Sequence, residues 1–201
     1  MIGVQRGSSL TRKPFAGRNG RRGTALIEFA LILPILIILV LATVDFGRLI
    51  QARLIISNVS REGGSIAARQ TTVDPGLITM LRESAKPLNL VGTDGKIIIT
   101  RIKAGLSAAA PNPTIATQDI QGTLGRNSTI GTVVGANPNL TASIYNHLVF
   151  KTANATSDIA EVTVVEVFYK YRPITPFPRG FGGGMLLPDT DGMIVWSRAI
   201  F

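Results

Sequence analysis

Glu28 is the one charged side chain among the 21 residues from Thr24 to Val44, and Arg21-Arg22-Gly23 stand directly before that stretch. On insertion scales an acidic group deep in a bilayer costs about 2.5–3.5 kcal/mol, so a carboxylate in a membrane-length apolar run needs a partner and marks function. The local spacing can supply that partner. Gly23 is a small, flexible residue at which a peptidase could cut. Cleavage there makes Thr24 a new terminus with a positive amine, leaving Glu28 fifth and Phe29 sixth in the shortened chain. The α-amine of the same or another subunit would neutralise Glu28 and offset its burial. The chemistry on offer is therefore hydrolysis of the Gly23–Thr24 bond by a second protein, followed by charge pairing. Against it stands the plainer reading that Glu28, four residues into the span, snorkels to the interface.

Other residues offer less. The chain has no cysteine, which excludes disulfides, thiolate metal sites and cysteine nucleophiles together. His147 is the single histidine and has no nucleophile or ligand partner at a recognisable spacing, so it reads as an ordinary surface or core residue. Gly182-Gly183-Gly184 is not followed by Lys-Ser or a helix start and so makes no phosphate cradle. Asn58, Asn127, Asn139 and Asn154 begin N-x-Ser/Thr triplets, which matter only in a eukaryotic secretory pathway. Asp45 and Arg48 form an i, i+3 pair worth a few tenths of a kcal/mol, as expected of a polar helix end at a membrane surface, with a subunit contact as the alternative. Paired carboxylates, a nucleophile elbow and a metal cluster are all missing from the pattern. Neither catalysis nor a cofactor is expected.

The elements that must position Glu28 follow from hydropathy. At 1.5 Å per residue, Thr24 to Val44 reaches about 30 Å as a helix, the thickness of a bilayer core. Pro34 lies inside it and predicts a kink. Beyond Val44, Phe46, Leu49, Ile50, Leu54, Ile55 and Val59 recur at helical spacing, so the helix is expected to continue as an amphipathic extension ending between Ser60 and Gln70, weakened by Gly63 and Gly64. Asp74-Pro75 opens a short helix that Pro87 closes. Lys96 to Ala104 and Glu161 to Tyr171 read as strands, Met193 to Phe201 as a final strand, and Leu140 to Val149 as a short helix. Residues 105–140, rich in Gly, Ala, Asn, Thr and Pro, are expected to be a long mobile loop. Pro173, Pro176, Pro178 and the loop Gly180 to Gly184 separate the last two strands. The expected fold class is α+β: a long N-terminal membrane-spanning helix followed by a small antiparallel-sheet domain with about three strands.

Charge fixes an orientation. Of the formal +9, six basic residues (Arg6, Arg12, Lys13, Arg18, Arg21, Arg22) and no acid lie before Thr24, leaving +3 for the rest. A flexible basic tail behind an apolar helix stays in the cytoplasm by the positive-inside rule, sending the body across. The division is a cytoplasmic leader at 1–23, the membrane helix and its extension at 24–70, and an extracytoplasmic domain at 71–201. The basicity sits in the leader, and no nucleic-acid partner is expected.

Arg22-Gly23-x-Ala25-x-x-Glu28-Phe29-Ala30-Leu31, then Pro34, Asp45-Phe46-Gly47-Arg48 and Ser60-Arg61-Glu62-Gly63 resemble the TadE-like family of pseudopilins in the tight-adherence (Flp) type IV pilus system. The close resemblance covers about residues 21–70, with Val162 to Pro176 similar only loosely. It implies a precursor in the bacterial inner membrane, cut by a prepilin peptidase after Gly23, with Glu28 and Phe29 as the processing and assembly motif. Its implied partners are that peptidase, other pilins and pseudopilins, the inner-membrane assembly platform and the lipid bilayer. Asp45, Gly47, Arg48, Arg61, Glu62 and Gly63 would be the family-like helix end. A TadF-like relative shares the same kind of leader. The rival from another class is a soluble domain released by signal peptidase after Ala42, since Val40-Leu41-Ala42 has small residues where that enzyme favours them. It leaves Glu28 without a purpose.

Overall fold

The structure is a computed structural model that describes residues 20–70, 75–90, 92–153, 155–173 and 192–201. The chain divides into two compact units, residues 1–43 and 44–201. The first contributes the apolar part of helix α1, Gly20–Ala67, which continues through Pro34. Its large side chains from Leu26 to Leu41 are exposed, an apolar surface that is unfavourable in water and suits a membrane anchor.

The second unit is a four-stranded antiparallel sheet covered on both faces. Its strands are β1 (Gly95–Lys103), β2 (Thr114–Gln121), β3 (Glu161–Tyr171) and β4 (Met193–Ile200), in the order β2-β1-β3-β4. Strand alternation sends Ile97, Ile99, Val165, Val167 and Val195 to one face, where they join Ala52, Ile56, Val59 and Ala67 of α1 and Leu77 and Leu81 of α2 (Pro75–Ser84). The other face carries Ile102, Val162 and Val164 against Ile115, Ile130 and Leu148, the last on α3 (Ala142–Leu148). Phe168 and Trp196 stack at 6.2 Å on that same face.

Three expectations change. The segment 105–140 is no bare loop, because Thr114–Gln121 pairs along β1 with a bulge between Arg101 and Ile102, and the strand count is four. As an edge strand β2 buries only Ile115 fully, so it lacks the apolar alternation that betrays a strand in sequence. The remainder is held down rather than mobile. Gln118 Nε2 donates to the Gly131 carbonyl at 2.9 Å, the Ile115 amide donates to Ala136, and Ile130 is fully buried. Finally, the apolar stripe of the amphipathic extension is split: Val59 is buried and Leu49 and Ile55 pack against the core, whereas Phe46, Ile50 and Leu54 are exposed, and the small residues Ala52, Ser60, Gly63, Gly64 and Ala67 are buried beside Ile56. Both sides of this helix are apolar, so periodicity alone could not choose between them. The compact body accordingly begins at Val44, with 44–67 as its first helix.

The helix α1 ends at Ala67, α2 starts at Pro75, and β3 spans Glu161–Tyr171, as expected. The cap at Asp74, Pro176, Pro178 and the glycine loop at 180–184 fall outside the described residues.

Candidate functional site

The residues singled out in sequence fall into two groups. Gly23, Thr24, Glu28, Phe29 and Pro34 lie in the first unit, all on α1 and all exposed. The bond between Gly23 and Thr24 is helical here, not an open loop. Gly20 and Gly23 sit in the opening turns, where each glycine costs the helix about 1 kcal/mol relative to alanine, so unwinding that end is cheap. A Cβ at Gly23 would meet nothing within 4 Å. One turn and a half further on, Glu28 projects from a surface whose neighbours are Leu26, Ile27, Phe29, Leu31 and Ile32, each at least half exposed. Along the helix a carboxylate is thus presented on an otherwise apolar shaft.

Asp45, Gly47, Arg48, Arg61, Glu62 and Gly63 belong to the second unit and diverge in role. Asp45 is 6 % exposed, and its carbonyl accepts a hydrogen bond from the Tyr171 hydroxyl at 2.9 Å. This bond ties the first turn of the body's helix to the end of the central strand. Burial, and then the nearby Asp45 charge, push the Tyr171 phenol above its ordinary pKa. Gly47 and Arg48 are exposed, as are Arg61 and Glu62.

Gly63 and Gly64 have a steric reason to be glycine. A Cβ on Gly63 would lie 2.8 Å from Leu81 Cδ1, and one on Gly64 would lie 2.3 Å from the ring of Phe201. The pair that weakens the helix in isolation is what lets α2 and the chain's last aromatic approach it. Between them, Ser60 Oγ donates to the Ser57 carbonyl at 3.0 Å and meets Ser197 Oγ of β4 at 2.9 Å, so Ser197 donates to Ser60.

Two buried charges escaped the sequence reading. Arg101, on β1, is 6 % exposed and donates through Nη2 to the carbonyls of Ala67, at 2.9 Å, and Gln70. A cation on carbonyls at and just past a helix C-terminus complements the helix dipole. Glu161 accepts from Nη1 at 3.4 Å and balances the charge. Glu166, on β3, is fully buried and accepts from Ser128 Oγ, from the Thr129 amide at 3.1 Å and from Thr129 Oγ1. Arg198, its cross-strand neighbour, donates to Thr129 Oγ1 at 3.3 Å. These bonds anchor the 122–140 segment to the sheet. A lone charge inside Ile-Ile-Ile-Thr-Arg-Ile or Val-Val-Glu-Val was itself the available signal, since such a charge is buried only with partners.

His147 is exposed and its Nδ1 lies 2.8 Å from Asp158 Oδ2, which also takes Lys151 Nζ. The Lys151 bond, then His147, hold the Asp158 carboxyl below its usual range.

The fold and these positions define a class of protein: an anchor-type apolar helix, long enough to cross a membrane, leading into an α+β body. Residues 23–65 match the family model described as TadE-like protein, so the chain carries a TadE-like domain over that segment. The matched segment contains every singled-out residue from Gly23 to Gly63 and ends within α1, before the sheet. Comparison with curated proteins and with solved structures finds no match.

Proposed function

We propose that this chain is a pseudopilin or minor pilin that serves assembly of a Tad-type (Flp) pilus for surface adherence, as a structural rather than catalytic component. A prepilin peptidase cuts between Gly23 and Thr24. The basic leader holds the precursor in the inner membrane with the body on the far side, and the assembly platform and other pilins receive the processed helix. The α-amine of Thr24 and the Glu28 carboxylate pair as the helix enters the assembly, so that neither charge sits unpaired in an apolar setting. The observation that carries this reading is Glu28 standing on an apolar, exposed helix five residues after Gly23, within the TadE-like match.

Glu28→Ala tests it. The variant should be processed normally but be lost from the assembled pilus fraction, measured by immunoblotting of sheared filaments and membranes. Normal incorporation of Glu28→Ala would remove the charge-pairing step.

A second reading has one observation in its favour. The compact body starts at Val44, next to where signal peptidase cleavage after Ala42 would release it. A released body would leave Glu28 and the matched segment before Thr43 unused.

A further inference from the structure

Within the body, the last residues of β3, the start of its first helix and the Pro87 and Asp94 segments line an open cleft of about 260 Å³. That is several times the roughly 30 Å³ share of one water in the liquid, and enough for a small charged group. Arg48, Lys170 and Arg172 line it, with Asp94 as the one acid among the described lining residues and the rings of Tyr169 and Tyr171 in its wall. Arg172 donates to Asp94 Oδ1 at 2.6 Å, and the Lys170 amide donates to the Asp94 carbonyl at 2.7 Å, so the Asp94 turn fixes this end of the strand twice. Three cations against one carboxylate leave the cleft positive. Two of them are guanidinium forks, whose paired N–H groups match phosphate oxygens. Arg48 stands four residues, about one helical turn, beyond Val44, where the uncharged span ends. Basic side chains with tyrosines are the composition of a membrane–water interface.

We propose that this cleft holds the phosphodiester headgroup of an anionic phospholipid from the leaflet into which α1 emerges, with Arg48, Lys170 and Arg172 as its cationic ligands. The assignment rests on α1 being a membrane anchor. It adds to that anchor a specific lipid contact that seats the body at the interface through the first turn of its helix and the end of its central strand. Burial raises the Tyr169 phenol, with Asp94 adding to the shift and Arg48 and Arg172 opposing it.

The test uses the full chain in nanodiscs of phosphatidylcholine carrying a minority of phosphatidylglycerol, with retained lipids counted by native mass spectrometry. The native protein should retain phosphatidylglycerol in preference to phosphatidylcholine. Arg48→Gln combined with Arg172→Gln should lower that preference about thirtyfold, the scale expected for losing two interfacial cations. Arg53→Gln, exposed on the same helix but outside the cleft, should leave it unchanged, and an unaltered Trp196 emission spectrum confirms the fold of each variant. Equal retention of the two lipids by the native protein overturns the proposal, as does an equal loss in Arg53→Gln, which would reduce it to general charge attraction. Inorganic phosphate is the second arm. If phosphate added to pure phosphatidylcholine discs raises the unfolding temperature as much as phosphatidylglycerol does, the ligand is a soluble anion and the lipid assignment falls. Failure of the native chain to enter nanodiscs would instead overturn the anchor reading on which the proposal stands.

Discussion

Arg101 carries a contact that no neighbouring residue can replace. It closes α1 from the middle of β1, where it bonds the Ala67 and Gln70 carbonyls and pairs with Glu161. Arg101→Met keeps much of the volume and removes every one of these bonds. It should destabilise the body by about 2 kcal/mol, the scale of losing hydrogen bonds made by a buried charged group. Thermal unfolding followed by circular dichroism would measure it, and a midpoint equal to that of the native protein would show the cap to be dispensable. At this scale the sequence was legible where one residue broke a pattern. Glu28 stood out because it interrupts an apolar run. Arg101 and Glu166 interrupt runs just as sharply, but their partners lie 31 to 38 residues away or more and cannot be paired from spacing. Asp45 was legible as a residue and not as a contact, since its partner Tyr171 is 126 positions on.

Among the elements, the helix and the two central strands were readable because their signals are local. The apolar run marks α1, and β-branched density marks β1 and β3. The edge strand β2 was not, because it buries only Ile115 fully and its stability comes from the ladder to β1. The Gly63-Gly64 pair shows the same limit. Read along the chain it weakens a helix, whereas read against Leu81 and Phe201 it permits close packing. A double-mutant cycle separates the two effects. Gly64→Ala alone should destabilise the body by about 1 kcal/mol through the clash with the Phe201 ring. On a Phe201→Ala background the same change should stabilise it by about 0.5–1 kcal/mol through helix propensity. Chemical denaturation of the four proteins checks the sign, and additive effects would contradict the packing account.

For the whole molecule, the division of labour follows from where charge and apolar surface lie along the chain. An apolar helix exposes its side chains from Leu26 to Val44, a body with its own core starts at Val44, and the TadE-like match bridges the two. The sequence carried the anchor and the resemblance because both are written in contiguous residues. The cationic cleft was out of its reach, since Arg48 and Lys170 are brought together only by folding. The proposed function turns on processing after Gly23 with the product retained in the membrane. Mass spectrometry of the mature N-terminus in the membrane fraction, with and without a prepilin peptidase, reads this out. Thr24 should stand at the terminus only when the peptidase is present. An unprocessed Met1 in its presence, or Thr43 in a soluble fraction, would contradict it.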